Sequence, residues 1–219
     1  MNRRDFMVAG AAGLAAFGGF WLTQRGGDDL PALALNAEEA AATDTSGIME
    51  MQIGAADAPI MMTEYASFTC PHCATFHQNV FKQLKAEYID TGKVLFTYRD
   101  VYFDRPGLWA SLVARCDPNR FFGIAGMLFD GQQDWVGGGD GAAIAENLRK
   151  LGRVAGLDND KLESCLTDSD KAQELYAWFQ KNADADQIDS TPSLLIDGEK
   201  FSNMSYPDLK AILDKKLEG

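Results

Sequence analysis

Two cysteines separated by a proline and a histidine, Cys70-Pro71-His72-Cys73, are the residues of this chain best suited to chemistry. Two thiols at that spacing can close a disulfide and open it again, releasing or taking up two electrons. Where a strand runs into a helix, the first sulfur faces unpaired backbone N–H groups and the positive end of the helix dipole. Both favour a thiolate. Pro71 suits the first helical position, where its missing N–H would have had no partner. His72 offers a positive charge or a hydrogen-bond donor beside the Cys70 sulfur. Whatever stabilises the thiolate stabilises the reduced form, and so makes the disulfide a stronger oxidant.

Other uses of the motif fit less well. A structural zinc site wants four ligands, yet there is no second Cys-x-x-Cys, and the two histidines, His72 and His77, fall in the same short stretch. Covalent haem attachment needs a histidine directly after the second cysteine, where this chain has Ala74. As a purely structural disulfide the small loop would restrain little unfolded-chain entropy. Cysteines that carry both electrons themselves need no metal and no organic cofactor.

The elements around the motif supply the required setting. Residues 59–65 form a short apolar run of strand length, and Phe76, Val80, Phe81, Leu84 and Tyr88 then share one helical face. Thr91-Gly92 stops that helix, and 93–101 alternates like a strand. Strand, helix and strand with tight joints make a βαβ unit with parallel strands. From residue 106 to 184 the pattern is helical, with segments at 108–114, 120–129, 142–155 and 171–182. The strand pattern returns at Ser193-Leu194-Leu195-Ile196, turns at Asp197-Gly198 and continues through Glu199-Lys200-Phe201 as a two-residue hairpin. A last helix starts at Ser205, with Pro207 in its first turn and Asp208 three residues on. The predicted fold class is α/β: a thioredoxin fold (βαβ…ββα) interrupted by a helical insertion. Its parts are 54–105, the insertion 106–184, and 185–219.

Two further features join the motif. Thr191-Pro192 lies just before the returning strand, where thioredoxin folds place a cis-proline facing the redox pair. Glu64 lies six residues before Cys70, in the strand that leads to the redox turn. A carboxylate on a buried strand is costly without a task or a partner. Either it relays protons to Cys73, or it sits at a solvated strand end.

Phe68-Thr69-Cys70-Pro71-His72-Cys73, the Thr191-Pro192 pair and the helical insertion together resemble the DsbA family of thiol–disulfide oxidoreductases, in an alphaproteobacterial-like form. The resemblance implies that Cys70 forms the mixed disulfide with substrate and Cys73 resolves it. It also implies a groove for extended polypeptide beside Thr191-Pro192, reduced or unfolded exported polypeptides as substrates, and reoxidation by a quinone-linked membrane partner of DsbB type. The chain is expected to act as a monomer. It departs from the family at residue 77, where an acidic residue is familiar and this chain has His. A lysine expected on the strand after the first helix, facing the buried Glu, is missing; Tyr98 or Arg99 occupies that region. A disulfide isomerase or reductase of the same fold, and a non-catalytic chaperone for unfolded chains, are the alternative readings.

The N-terminus fits work outside the cytoplasm. Arg3-Arg4 precedes an apolar, glycine-dotted run over 6–22, in the manner of a twin-arginine export signal. Residues 1–27 are therefore read as an export signal or membrane anchor and 28–53 as a tether, with Ala32-Leu33-Ala34 the nearest small-x-small cleavage site. The expected location is the periplasm. A net charge of −12, with 32 acidic against 20 basic residues, argues against nucleic-acid binding. Cys116 and Cys165, both in the helical block, suggest a second, structural disulfide closing a loop of about 50 residues, worth roughly 4 kcal/mol in the chain-entropy model. Two separate buried thiols are the alternative.

Overall fold

The computed structural model describes residues 42–137 and 139–218. The Arg3-Arg4 segment, the Ala32-Leu33-Ala34 site and the tether up to residue 41 lie outside the described residues. No described helix is long and apolar enough to cross a membrane.

Two strands, each fully buried on one face and partly covered on the other, form the centre of the molecule. Strand β2 (Ile60–Ala66) and strand β3 (Val94–Asp100) pair in parallel, Glu64 opposite Tyr98. Near-continuous apolar runs suit strands covered on both sides. The hairpin of β4 (Ser193–Ile196) and β5 (Glu199–Ser202) adds antiparallel to the other edge of β2. Its turn is the predicted Asp197-Gly198, and both residues take the positive φ that a tight hairpin requires. Asp197 also latches the hairpin to the start of β2: its carboxylate accepts from the Met61 N–H, and its own N–H donates to the Met61 carbonyl, both at 2.9 Å.

One strand escaped the sequence pattern. Residues 51–53, placed there at the end of the tether, form β1 (Met51–Ile53), antiparallel to β3, so the sheet order is β1-β3-β2-β4-β5. Three residues are too few to show alternation, and this strand depends on its partner: Gln52 Nε2 donates to Thr97 Oγ1 at 3.1 Å. The chain leaves it through Gly54 at φ +119°, where a Cβ would stand 2.4 Å from the Val94 carbonyl oxygen.

Helix α1 runs over 71–89 and contains two π-helical stretches, His77–Phe81 and Lys85–Ile89. Its buried side includes Phe76, Val80, Leu84 and Tyr88, as the spacing predicts, and also His77. The insertion comprises α2 (Arg105–Arg115), a 3₁₀ turn (Pro118–Arg120), α3 (Phe121–Asp130), α4 (Gln132–Val136), α5 (Gly141–Val154), α6 (Asn159–Leu166) and α7 (Ser169–Ala185). Helices α4 and α6 are too short to announce themselves by periodicity. Helix α2 is its axis: Asp104 caps its start by accepting from the Gly107 N–H at 2.8 Å, and every residue from Gly107 to Ala114 is buried. The insertion is no separate body. Phe121, Ile124 and Phe129 of α3 share one core with Phe68, Phe96 and Tyr98 of the sheet side. Helix α8 (Tyr206–Glu218) closes the fold, with Ser205 and Asp208 paired at its start.

Cys116, at the end of α2, is disulfide-bonded to Cys165 in α6, with Cα atoms 5.7 Å apart and a sequence separation of 49. Replacing both (C116A/C165A) is expected to lower the unfolding free energy by roughly 2–4 kcal/mol. Urea denaturation of the two proteins measures this, and an unchanged midpoint would contradict a structural role.

Candidate redox site

The end of β2 delivers Ser67-Phe68-Thr69 into a tight turn, closed by the Cys70 N–H donating to the Ser67 carbonyl at 3.1 Å. Cys70 then stands at the N-cap of α1 with extended backbone angles, and Pro71 takes the first helical position. No side chain caps this helix start. The cysteine sulfur therefore occupies the place where a capping oxygen would otherwise collect the free N–H groups.

The two sulfurs differ sharply. Both are free thiols in the structure. Cys70 is largely buried but keeps 9% of its surface exposed, and its S–H reaches the Thr191 carbonyl oxygen at 3.7 Å. Its pKa is lowered to about 5, chiefly by the hydrogen bond from the Cys73 thiol, with the Thr191 side chain and the backbone N–H groups of Cys73 and His72 also outweighing its partial burial. Cys73 is fully buried, and burial pushes its thiol well up; the hydrogen bond to Cys70 and the charge of Glu64 act in the same direction. One sulfur is a ready thiolate and the other holds its proton.

The sequence-predicted residues converge here to different degrees. The Thr191–Pro192 peptide bond is cis and stands across from Cys70. The His72 side chain is exposed; what reaches the Cys70 sulfur from this residue is its backbone N–H. Glu64 is wholly buried, which removes the reading as a solvated strand end. Neither strand residue in the region of the missing lysine bonds to it. The Tyr98 hydroxyl donates to the Ala66 carbonyl at 3.3 Å. Arg99 points elsewhere, to Glu50 at 2.8 Å and to Asp186 and Tyr65 at 3.0 and 2.6 Å. Glu64 is instead met by His77, whose Nε2 lies 2.8 Å from its Oε2.

Sequence reasoning left two site residues without a role. His77 follows Cys73 by four residues and so shares its helix face; that spacing was the available signal. Gln132, at the start of α4, is buried and donates through Nε2 to the carbonyls of Phe68 and Cys70, at 2.7 and 3.0 Å. Nothing distinguished it from Gln133 beside it. Its bonds tie the redox turn to the helical insertion.

The family model described as Thioredoxin matches residues 46–215. The chain belongs to the thioredoxin family. Its DsbA-like form of the fold, with the helical insertion, is shared with the crystal structure of Wolbachia pipientis alpha-DsbA1. The two are 25% identical, with a TM-score of 0.71 covering 81% of this chain and 94% of that one. The crystal structure of protein-disulfide isomerase from Novosphingobium aromaticivorans matches with a TM-score of 0.67 and 25% identity, over 75% of this chain and 97% of that one. Among curated relatives, a Rickettsia bellii protein provisionally named a protein-disulfide oxidoreductase is 32% identical over 171 residues, 77% of this chain and 65% of that protein. The chain thus spans less than two thirds of the length of this relative.

The split between the two sulfurs predicts a pH response. In the dithiol protein, thiolate absorbance near 240 nm is expected to rise with a midpoint at about pH 5, from Cys70 alone. Because folding lowers this pKa from its ordinary value of 9.0, the thiolate stabilises the folded dithiol fully above pH 9 and loses that effect as the pH falls towards 5. The disulfide form has no such group. The urea midpoint of the dithiol form relative to the disulfide form should therefore fall between pH 9 and pH 5. A single absorbance midpoint near 9 would refute the assignment.

Proposed function

We propose that this protein is an exported protein-disulfide oxidase that donates the Cys70–Cys73 disulfide to reduced or unfolded exported polypeptides. The observation that carries this reading is the contrast between the two sulfurs: a stabilised thiolate at Cys70 beside a buried thiol at Cys73. A substrate thiolate attacks Cys70 Sγ, the Sγ–Sγ bond breaks, and its electron pair leaves on Cys73, which takes up a proton. A second substrate thiolate then attacks the substrate sulfur of the mixed disulfide and displaces Cys70 as its stable thiolate. The substrate gains a disulfide; the protein is left as the dithiol. Glu64, buried and near enough for its charge to raise the pKa of Cys73, supplies that proton.

Two surfaces support polypeptide binding. The Thr191 backbone beside the cis bond offers main-chain groups to an extended segment. A cavity of about 550 Å³ opens between α1 and the loop before α8, its lining including apolar Phe76, Val80 and Met204 and polar Asn79 and Asn203. Reoxidation then falls to a quinone-linked membrane partner of DsbB type, and the Arg3-Arg4 segment directs twin-arginine export to the periplasm. The Cys116–Cys165 disulfide suits an oxidising compartment of that kind.

Oxidative refolding of reduced, denatured ribonuclease by the disulfide form tests this reading. The unaltered protein should oxidise the client stoichiometrically. C70S and C73S, neither of which can hold the disulfide, should transfer nothing. If C70S supported refolding as well as the unaltered protein, the site would be a holding surface for unfolded chains rather than a redox centre.

A further inference from the structure

The least expected feature of the site is the side chain that meets Glu64. His77 arrives from α1, within the π-helical stretch His77–Phe81, and is buried. Its ring lies flat on Phe129 of α3, with centroids 4.0 Å apart and planes at 18°. Phe81 packs against it at 4.7 Å, and Phe76 and Tyr98 meet it edge-on at 5.9 and 6.2 Å. Held on these sides, the imidazole has little freedom to turn, and its Nε2 is aimed at one carboxylate oxygen, Oε2 of Glu64, at 2.8 Å. The other oxygen, Oε1, is buried without a hydrogen-bond partner among the described residues.

We propose that His77 is a positioning residue for proton transfer at Cys73: its Nε2–H pins Oε2 of Glu64, so that the proton exchanged with Cys73 is carried on Oε1. This rests on the reading of Glu64 as the proton relay. An imidazole suits the task for a physical reason. A permanent cation against Glu64 would favour the carboxylate at all times and oppose its holding a proton. An uncharged imidazole donates a hydrogen bond to both the acid and the carboxylate form. The titratable groups facing the pair are Cys73 on α1 and Tyr98 on β3, both of which feel the charge of Glu64. Helix α3 presents the ring of Phe129, and β4 places Leu194 beside Glu64 in register.

The steps balance. When the disulfide opens, Cys73 leaves with the electron pair of the Sγ–Sγ bond and takes the proton from Oε1. Glu64 becomes a carboxylate, still bonded to His77. When Cys70 is in mixed disulfide with an oxidising disulfide partner, Cys73 Sγ attacks Cys70 Sγ, its proton returns to Oε1, and the partner sulfur departs with the electron pair.

Reaction of the dithiol protein with oxidised glutathione, followed by stopped flow, separates the bimolecular attack by Cys70 from the intramolecular attack by Cys73. E64Q is expected to slow the second step about 100-fold, the low end for a positioned acid–base group, and to leave the first within about two-fold. H77L should lose as much, and E64Q/H77L no more than E64Q alone. H77Q, which keeps a side-chain N–H donor, should recover most of the rate. If H77L stays within about three-fold while E64Q is slow, His77 has no part and the relay stands; if E64Q is also fast, both readings fall. A measurement on the unaltered chain guards against misfolded variants. With two histidines in the sequence, ¹⁵N-histidine spectra have exposed His72 as an internal control. At pH 8 the His77 proton should sit on Nε2 in both the disulfide and dithiol forms, and an Nδ1–H tautomer in either would overturn the proposal.

Discussion

A sulfur atom at a helix start with no side-chain cap is the constraint around which this protein is arranged. At Cys70 the free N–H groups of α1 have no oxygen to satisfy them, and the thiolate takes that place. The same geometry places Cys73 one turn further in, with no exposed surface and Glu64 nearby. Burial there makes a charged sulfur expensive, just as the N–H groups outside make one favourable. A disulfide across this boundary joins one sulfur that leaves readily as an anion to another that needs a proton when it leaves.

The rest of the fold serves that boundary. β2 brings the chain to the turn and carries Glu64; β4 brings the cis Thr191–Pro192 bond across from Cys70. The helical insertion contributes to the site itself. Its Phe129 forms the floor under His77, and its Gln132 holds the carbonyls on both sides of Thr69. Because insertion and sheet share one core, the redox turn is fixed from two sides at once.

How much of this could be read from the sequence depended on the range of the interaction. Local geometry was legible: the cysteine spacing with Pro71, the Asp197-Gly198 hairpin with both residues at positive φ, and the Ser205–Asp208 pairing at the start of α8. So was the insertion, because α5 and α7 are long enough to show a period. β1 was not, since three residues show no alternation and their strand character comes from β3. The partner of Glu64 comes not from the neighbouring strand but from α1, where His77 lies one turn beyond Cys73 on the same buried face. Gln132 is illegible in principle: its two bonds span more than sixty residues of sequence and depend on where α4 docks.

The account stands on the stabilised Cys70 thiolate making the disulfide an effective donor. The reduction potential of the Cys70–Cys73 pair, from its equilibrium with glutathione at pH 7, tests that most directly. The account predicts a potential less negative than about −200 mV, above that of the glutaredoxins. A value near thioredoxin's, about −270 mV, would contradict it and make this site a source of electrons rather than of disulfides.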